Sequence, residues 1–248
     1  MTPEEVKSQF NEPAKIAHFR DAAVDIGLWR SEEIVFSQVF RREDALLEIG
    51  CGAGRIGLGL WELGYRCVLG TDYSREMIQA GRDLARKLEY AVPFRVADAT
   101  KLPFEDDLFD GAVFGFNGLM QIPGRRLRRA ALGEAKRVIK PGGKFVFTTH
   151  DRDVGSKAGF WACERKRWNE GEQNDRLVEF GDRLVETDHG EIFIHIPNRP
   201  EVLEDIEATG WQLCEDRLRS ELIDEPEDVK AFSTDCRFWI VQKPAALS

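Results

Sequence analysis

Apolar residues recur along this chain in two spacings, stripes three and four residues apart and short unbroken runs. The first 44 residues follow the stripe pattern. Ile16, Phe19, Ala23, Ile26 and Trp29 share one helical face, Gly27 interrupts it, and Ile34, Val35, Val39 and Phe40 mark a second helix for which Ser31 is the expected N-cap. Together they predict a helical N-terminal cover. At Leu46 the spacing changes: Leu46, Leu47 and Ile49 form a strand-like run, glycines follow at 50, 52 and 54, an amphipathic segment comes next, and a second apolar run closes at Asp72. Ser74 then caps a helix carrying Met77, Ile78, Leu84, Ala85 and Leu88, and Pro93 opens a strand that ends in Asp98. A fourth strand over 111–117 ends at Asn117, residues 127–139 read as a helix closed by the turn Pro141-Gly142-Gly143, and a fifth strand ends at His150 and Asp151.

Strands alternating with helices predict an α/β fold with a doubly wound, mostly parallel sheet. Ligands on such sheets lie outside the C-terminal strand ends. The alternation lapses over 152–200. An aromatic helix at 158–170, with Phe160, Trp161 and Trp168, precedes a hairpin over 183–196 turned at Asp188-His189-Gly190. This segment is expected to be an insertion over the strand ends. Pro200 opens a last helix through Ala208, ended by Gly210, and two strand-like runs follow at 211–216 and 236–242, which brings the sheet to seven strands. No repeat or linker divides the chain, so one domain is expected over 1–248: cover 1–44, core 45–151, insertion or lid 152–200, last helix and strands 201–248.

Composition narrows the partners. A net charge of -9 disfavours a surface that coats nucleic-acid backbone and leaves a small molecule or protein as the better substrate class. The run Arg125-Arg126-Leu127-Arg128-Arg129 could meet phosphate, but the stripe Leu127, Ala131, Ala135, Val138 predicts that its arginines occupy a solvated face. The five cysteines, 51, 67, 163, 214 and 236, are scattered without a CxxC pair, which implies neither a metal site nor a disulfide framework and suits a reduced cytoplasmic protein. The N-terminus lacks the basic and apolar pattern of a signal peptide, and no segment approaches membrane-spanning length.

The glycine turn is the main chemical signal. Glycines there let the backbone approach a ligand, the helix that follows offers unpaired N–H groups, and Asp72 can accept hydrogen bonds from two ribose hydroxyls. An adenosine-bearing cofactor is predicted. Gly52, Gly54 and Gly57 formally satisfy GxGxxG, so a nicotinamide-dependent oxidoreductase stands as an alternative. Against it, the turn begins at Gly50 directly after the strand, Gly57 falls within the helix, and Asp98 with the Ala99 N–H suits an adenine edge for which that reading has no use.

Five motifs then point to one family. Glu48-Ile-Gly-Cys-Gly-Ala-Gly54, Gly70-Thr-Asp-Tyr-Ser74, Val96-Ala-Asp-Ala-Thr100, Phe109-Asp-Gly-Ala-Val113 and Val138-Ile-Lys-Pro-Gly-Gly143 resemble, in order and spacing, the motifs of class I S-adenosylmethionine-dependent methyltransferases, a Rossmann-like family. The resemblance covers about residues 40–150, and the final strand pair resembles that family's sixth and seventh strands, the last antiparallel. It implies S-adenosylmethionine as cofactor and S-adenosylhomocysteine as product. By the same resemblance Gly50, Cys51, Gly52 and Gly54 would face the methionyl part, Asp72 the ribose, Tyr73 and Met77 the ribose and adenine surroundings, Asp98 and Ala99 the adenine, and Phe116 with Asn117 the sulfonium end, with Glu48 also counted in the cofactor site.

Methyl transfer from a sulfonium needs orientation and exclusion of water, and a base only where the acceptor's nucleophile is protonated. His150, at the end of the fifth strand, is the best-placed candidate base, followed by His195 in the hairpin; His18 and His189 have weaker cases. Trp29 reads either as a core anchor or as a lid residue, and Phe160, Trp161 and Trp168 either as the packing face of the insertion or as the lining of an acceptor pocket. Arg55 is expected to form a structural ion pair. The acceptor is expected to be a small molecule. RNA, for instance a tRNA base, and a cofactor-binding protein without transferase activity are the alternatives.

Overall fold

The structure, a computed structural model, describes residues 1–155 and 158–245; residues 156–157 of the expected insertion and 246–248 of the expected closing segment lie outside the described residues. Three helices come first, α1 (Pro3–Phe10), α2 (Pro13–Asp25) and α3 (Arg30–Val39). Gly27 separates the second and third with a left-handed φ of +62°. Ser31 is not the cap of α3. Trp29 holds that position with its N–H bonded to the Glu32 carboxylate, and the Ser31 N–H, already in the first turn, donates to Glu225.

The alternating core follows: β1 (Leu46–Ile49), α4 (Arg55–Glu62), β2 (Val68–Asp72), α5 (Arg75–Leu88), β3 (Phe94–Val96), β4 (Phe109–Phe114), a 3₁₀ turn at Gly118–Gln121, α6 (Arg125–Val138) and β5 (Ile139–Thr149). Ser74 caps α5, its Oγ accepting from the Met77 N–H at 3.1 Å. The Pro141-Gly142-Gly143 tripeptide does not close α6. That helix ends at Val138 and the chain enters β5 directly, bending at Gly142 (φ +80°) beside the register shift between Phe109 and Gly111. The remaining elements are α7 (Ala158–Asn169), β6 (Asp182–Thr187), β7 (Gly190–His195), α8 (Arg199–Ala208), β8 (Gln212–Leu218), α9 (Arg219–Leu222), α10 (Glu227–Phe232) and β9 (Arg237–Gln242).

Seven strands form one sheet in the order β3-β2-β1-β4-β5-β9-β8, with β9 antiparallel to both of its neighbours. The order reverses between β1 and β4, where open α/β sheets carry their ligand crevice. Both faces are covered, which is why the strands read as near-continuous apolar runs. Because side chains alternate, Leu46, Val113, Val146, Phe238 and Ile240 pack with α3 and α4 on one face, while Leu47, Ala112, Phe114, Phe145, Phe147 and Trp239 pack with α6 and α8 on the other.

The insertion reaches the 3₁₀ turn beyond β4 and the N-terminal cover together. Its hairpin, β6 paired with β7, forms a separate two-stranded sheet that packs against α1. Gln9 of α1 donates to Glu191 and accepts from the Phe193 N–H, and the buried Lys15 of α2 reaches the Glu191 carbonyl at 2.7 Å. The insertion therefore braces the N-terminal cover, and that cover closes the crevice.

The arginine run is also placed differently. Arg126 is exposed, but Arg128 is only 1% exposed and ion-paired to Glu179, while Arg125 and Arg129 both bind Asp205 of α8. Carboxylates brought in by the insertion and α8 convert a face that looked solvated into an interface. Among the described residues, no helix is long and apolar enough to cross a membrane.

Candidate active site

A cavity of about 330 Å³ opens at the C-terminal ends of β1 to β4. Its floor is the glycine turn. Gly50, Gly52 and Gly54 all have left-handed φ, and a Cβ on Gly54 would stand 2.6 Å from the Phe94 ring. Asp72 braces this turn from the end of β2, with Oδ2 accepting the Gly52 N–H and Oδ1 the Ser74 N–H, each at 2.8 Å. Burial raises its carboxyl above the ordinary aspartate value, against the pull of those backbone donors.

Glu48 lies beneath the turn, 2% exposed, with Oε2 buried and without a hydrogen-bond partner. Burial pushes its carboxyl up to about 8, although Arg55 pulls the other way. A Cβ on Gly57 would come within 2.7 Å of that Oε2. The formal third glycine of GxGxxG thus makes room for a carboxyl group inside the protein.

Tyr73, Met77, Asp98, Ala99 and Thr100 continue the wall. Asp98 is exposed and holds the Thr100 N–H and hydroxyl through one oxygen, at 2.8 and 2.7 Å. Lys7 of α1 stands 4.3 Å over the Tyr73 ring, so the first helix reaches across this end of the cavity. Phe116 lines the opposite end. It and Asn117 have consecutive left-handed φ values of 48° and 58°, a strained pair of the kind that gathers at functional sites.

Glu48, Gly50, Cys51, Gly52, Asp72, Tyr73, Met77, Asp98, Ala99 and Phe116 share the cavity wall, with Gly54 shaping the turn just behind it. Asn117 lies behind Phe116. Its N–H donates to Thr148 Oγ1, its Nδ2 is 3.2 Å from His150 Nε2, and its Oδ1 is buried without a partner.

Neither candidate base lines the cavity. His150 bonds Asn117 and, through Nδ1, the Asp235 carbonyl at 2.9 Å. His195 is 1% exposed, with Nδ1 2.8 Å from Asp182 and Nε2 2.6 Å from Glu201, fully used in joining the hairpin to α8. The expected lid aromatics are absent from the wall as well. Trp29 is a core anchor, with the Arg55 and Arg219 guanidinium groups over its ring at 4.6 and 5.0 Å and Phe116 edge-on to it. Phe160, Trp161 and Trp168 pack into the insertion's own cluster, the two tryptophans against Phe180. Arg55 forms the expected ion pair, with Glu32, and its side chain also reaches the cavity wall.

Sequence reasoning passed over Val6 and Phe10 of α1, Phe19 of α2 as a wall residue, and Phe232 of α10. The four-residue spacing of Val6 and Phe10 was a legible sign that α1 has a buried face.

Residues 46–143 match a family model described as "Methyltransferase domain". Over this stretch the chain has the sequence pattern of a methyltransferase domain. The chain resembles, at 28% identity over 148 residues, Methyltransferase GfsG of Streptomyces halstedii, with 57% of this chain and 52% of GfsG aligned, so it spans about half of that relative's length. It is 27% identical to a demethylmenaquinone methyltransferase of Streptomyces avermitilis over 84% of this chain and 87% of that one. Its fold is shared with a SAM-dependent methyltransferase of Methanosarcina mazei, at a TM-score of 0.68 and 23% identity, over 88% of this chain and 99% of the other.

Proposed function

We propose that this methyltransferase transfers a methyl group from S-adenosylmethionine to a small-molecule acceptor, leaving S-adenosylhomocysteine. The observation that carries the reading is the pairing, in one cavity, of an open glycine turn braced by Asp72 with the buried Glu48 carboxyl beneath it, whose Oε2 has no hydrogen-bond partner. A buried polar atom without a partner calls for one, and a cationic amino-acid tail on a nucleoside suits this floor. When bound, the cofactor supplies the methyl carbon together with its own leaving group.

The protein's work in this reading is holding and shielding. The N–H groups at the start of α4 hold the tail against the open glycine turn, Asp72 holds the ribose, and Asp98 with the Ala99 N–H the adenine, while Tyr73 and Met77 flank the nucleoside. The α1 helix and the phenylalanines of the far wall exclude water, which favours in-line attack by orientation alone. With His150 and His195 engaged elsewhere, the proposal assigns no protein base. We read the chain as one methyltransferase domain, with cover 1–44, core 45–151, an insertion over 152–200 that braces the cover, and closing elements from 201 onward.

A small-molecule acceptor is supported by the Streptomyces avermitilis relative, named for demethylmenaquinone, and by the enclosed wall. The locking of Arg125, Arg128 and Arg129 into ion pairs favours it over RNA. Five free cysteines suit the cytoplasmic setting that the proposal includes. A thermal-shift assay tests the reading. S-adenosylhomocysteine should raise Tm and the nicotinamide dinucleotides should not, and Asp72→Ala should abolish the shift. Stabilisation by the nicotinamides alone refutes it.

A further inference from the structure

The cavity has two unlike ends. The nucleoside end carries the carboxylates of Asp72 and Asp98 and the ammonium of Lys7; the other is built from phenyl rings. Phe10 and Phe19 lie 6.1 Å apart, Phe19 meets Phe116 edge-on at 6.0 Å and 82°, and Phe116 stacks on Phe232 at 5.0 Å and 30°. Val6 and Ala22 fill in around them, both buried. These rings come from four separate segments, α1, α2, the residues after β4, and α10, so no single helix stripe accounts for their meeting.

Resting on the methyl-transfer reading above, we propose that the acceptor is an uncharged, flat aromatic molecule and that Phe10, Phe19, Phe116 and Phe232 select it. Rings at these separations and tilts favour a further ring in offset or edge contact.

Charge argues the same way. Two titratable side chains touch these rings: His18, stacked on Phe232 at 5.2 Å and edge-on to Phe19 at 5.4 Å, is pushed toward its neutral form by burial, and the Arg55 guanidinium is already closed, bidentate to Glu32 at 2.6 and 2.7 Å and bonded to the Gly27 carbonyl at 2.9 Å. An acceptor carboxylate would find no open partner there and would lose its hydration. Phenyl cages can hold ammonium groups, but the Arg55 guanidinium stands 5.8 Å from the Phe116 centroid, so that ring already faces a cation. A neutral ring meets neither penalty. In the transfer, the acceptor's electron pair forms the bond to the methyl carbon, the carbon–sulfur pair stays on sulfur as a neutral thioether, and the acceptor's proton passes to solvent.

The test is calorimetric titration of the full chain, saturated with S-adenosylhomocysteine, with three probes of one shape: 2-naphthol, the 2-naphthoate anion and the 2-naphthylmethylammonium cation. The expected result is at least tenfold tighter binding of 2-naphthol than of either ion. Phe232→Ala and Phe19→Ala should weaken 2-naphthol about tenfold, Phe232→Leu less, with the affinity for S-adenosylhomocysteine checking that each variant is folded. Equal or tighter binding of either ion overturns the inference, and so does a 2-naphthol affinity indifferent to the phenylalanine variants. If S-adenosylhomocysteine itself does not bind the unmodified protein, the methyl-transfer reading falls and takes this inference with it; if it binds and the naphthol preference is missing, only this inference falls.

Discussion

The clasp at His195 yields a stability prediction with a defined pH window. Its two ring nitrogens face the carboxylate oxygens of Asp182 and Glu201 at 2.8 and 2.6 Å, so both must carry a proton for both bonds to form. Burial alone would lower the His195 pKa, but these bonds overcome it and hold it above the ordinary histidine value, with Arg128 opposing. Glu179, bound by Arg128, stands 3.9 Å from the same Nδ1, and Arg152 binds Glu201 from the other side. Burial would raise Glu201, yet His195 and Arg152 bring it down to about 2. A group raised on folding stabilises below its unfolded pKa and loses that contribution as pH climbs through the folded value; the lowered Glu201 contributes above its unfolded pKa and loses it toward about 2. The Glu201 displacement corresponds to about 3 kcal/mol, shared between His195 and Arg152. His195→Gln keeps one donor and no charge and should cost about 2 kcal/mol at pH 6, where the wild-type ring is an imidazolium. Urea unfolding of both proteins from pH 5.5 to 9.5 reads this directly, the variant's deficit shrinking as pH rises. A deficit constant over that range would show that the ring does not act as an imidazolium.

Three further outcomes follow from the same geometry. Gly57→Ala drives a methyl into Glu48 Oε2, 2.7 Å from the ideal Cβ position, and should destabilise by about 1–3 kcal/mol in chemical denaturation; an unchanged midpoint would contradict that packing. Because Glu48 is protonated up to about pH 8, a cationic ligand tail should displace its proton, so S-adenosylmethionine affinity should rise with pH and level off near that value; calorimetry in buffers of different ionisation enthalpy would detect the released proton, and Glu48→Gln should abolish the release. Gln9→Ala cuts both side-chain bonds between α1 and the hairpin, and it should speed amide exchange in residues 3–10 and weaken S-adenosylhomocysteine several-fold while global stability falls by only about 1 kcal/mol.

Local periodicity was sufficient for the alternating strands and helices of the core, the parallel sheet and the glycine turn, because spacing and backbone freedom are properties of neighbouring residues; the short helices α1, α9 and α10 were not read from it. The cavity carboxylates of Asp72 and Asp98 were legible for the same reason: each sits at the end of an apolar run, and the doubly wound fold brings such ends together. Partners distant in sequence were not legible. Arg128 lay in a run that looked solvated until Glu179, 51 residues on, was folded against it. His195 looked like a candidate base because the sequence does not show that Asp182 and Glu201 face both of its nitrogens. The cavity wall is completed by α1, fixed by Gln9 to a strand of the insertion 184 residues away, a contact that the sequence does not show. Sequence thus determined where the cofactor end of the cavity would form, since one β-turn-α segment with the ends of the next strands suffices to build it. Only the tertiary structure decided the far wall, because Phe10, Phe19, Phe116 and Phe232 come from four segments with no shared period and become one surface only when the chain is packed.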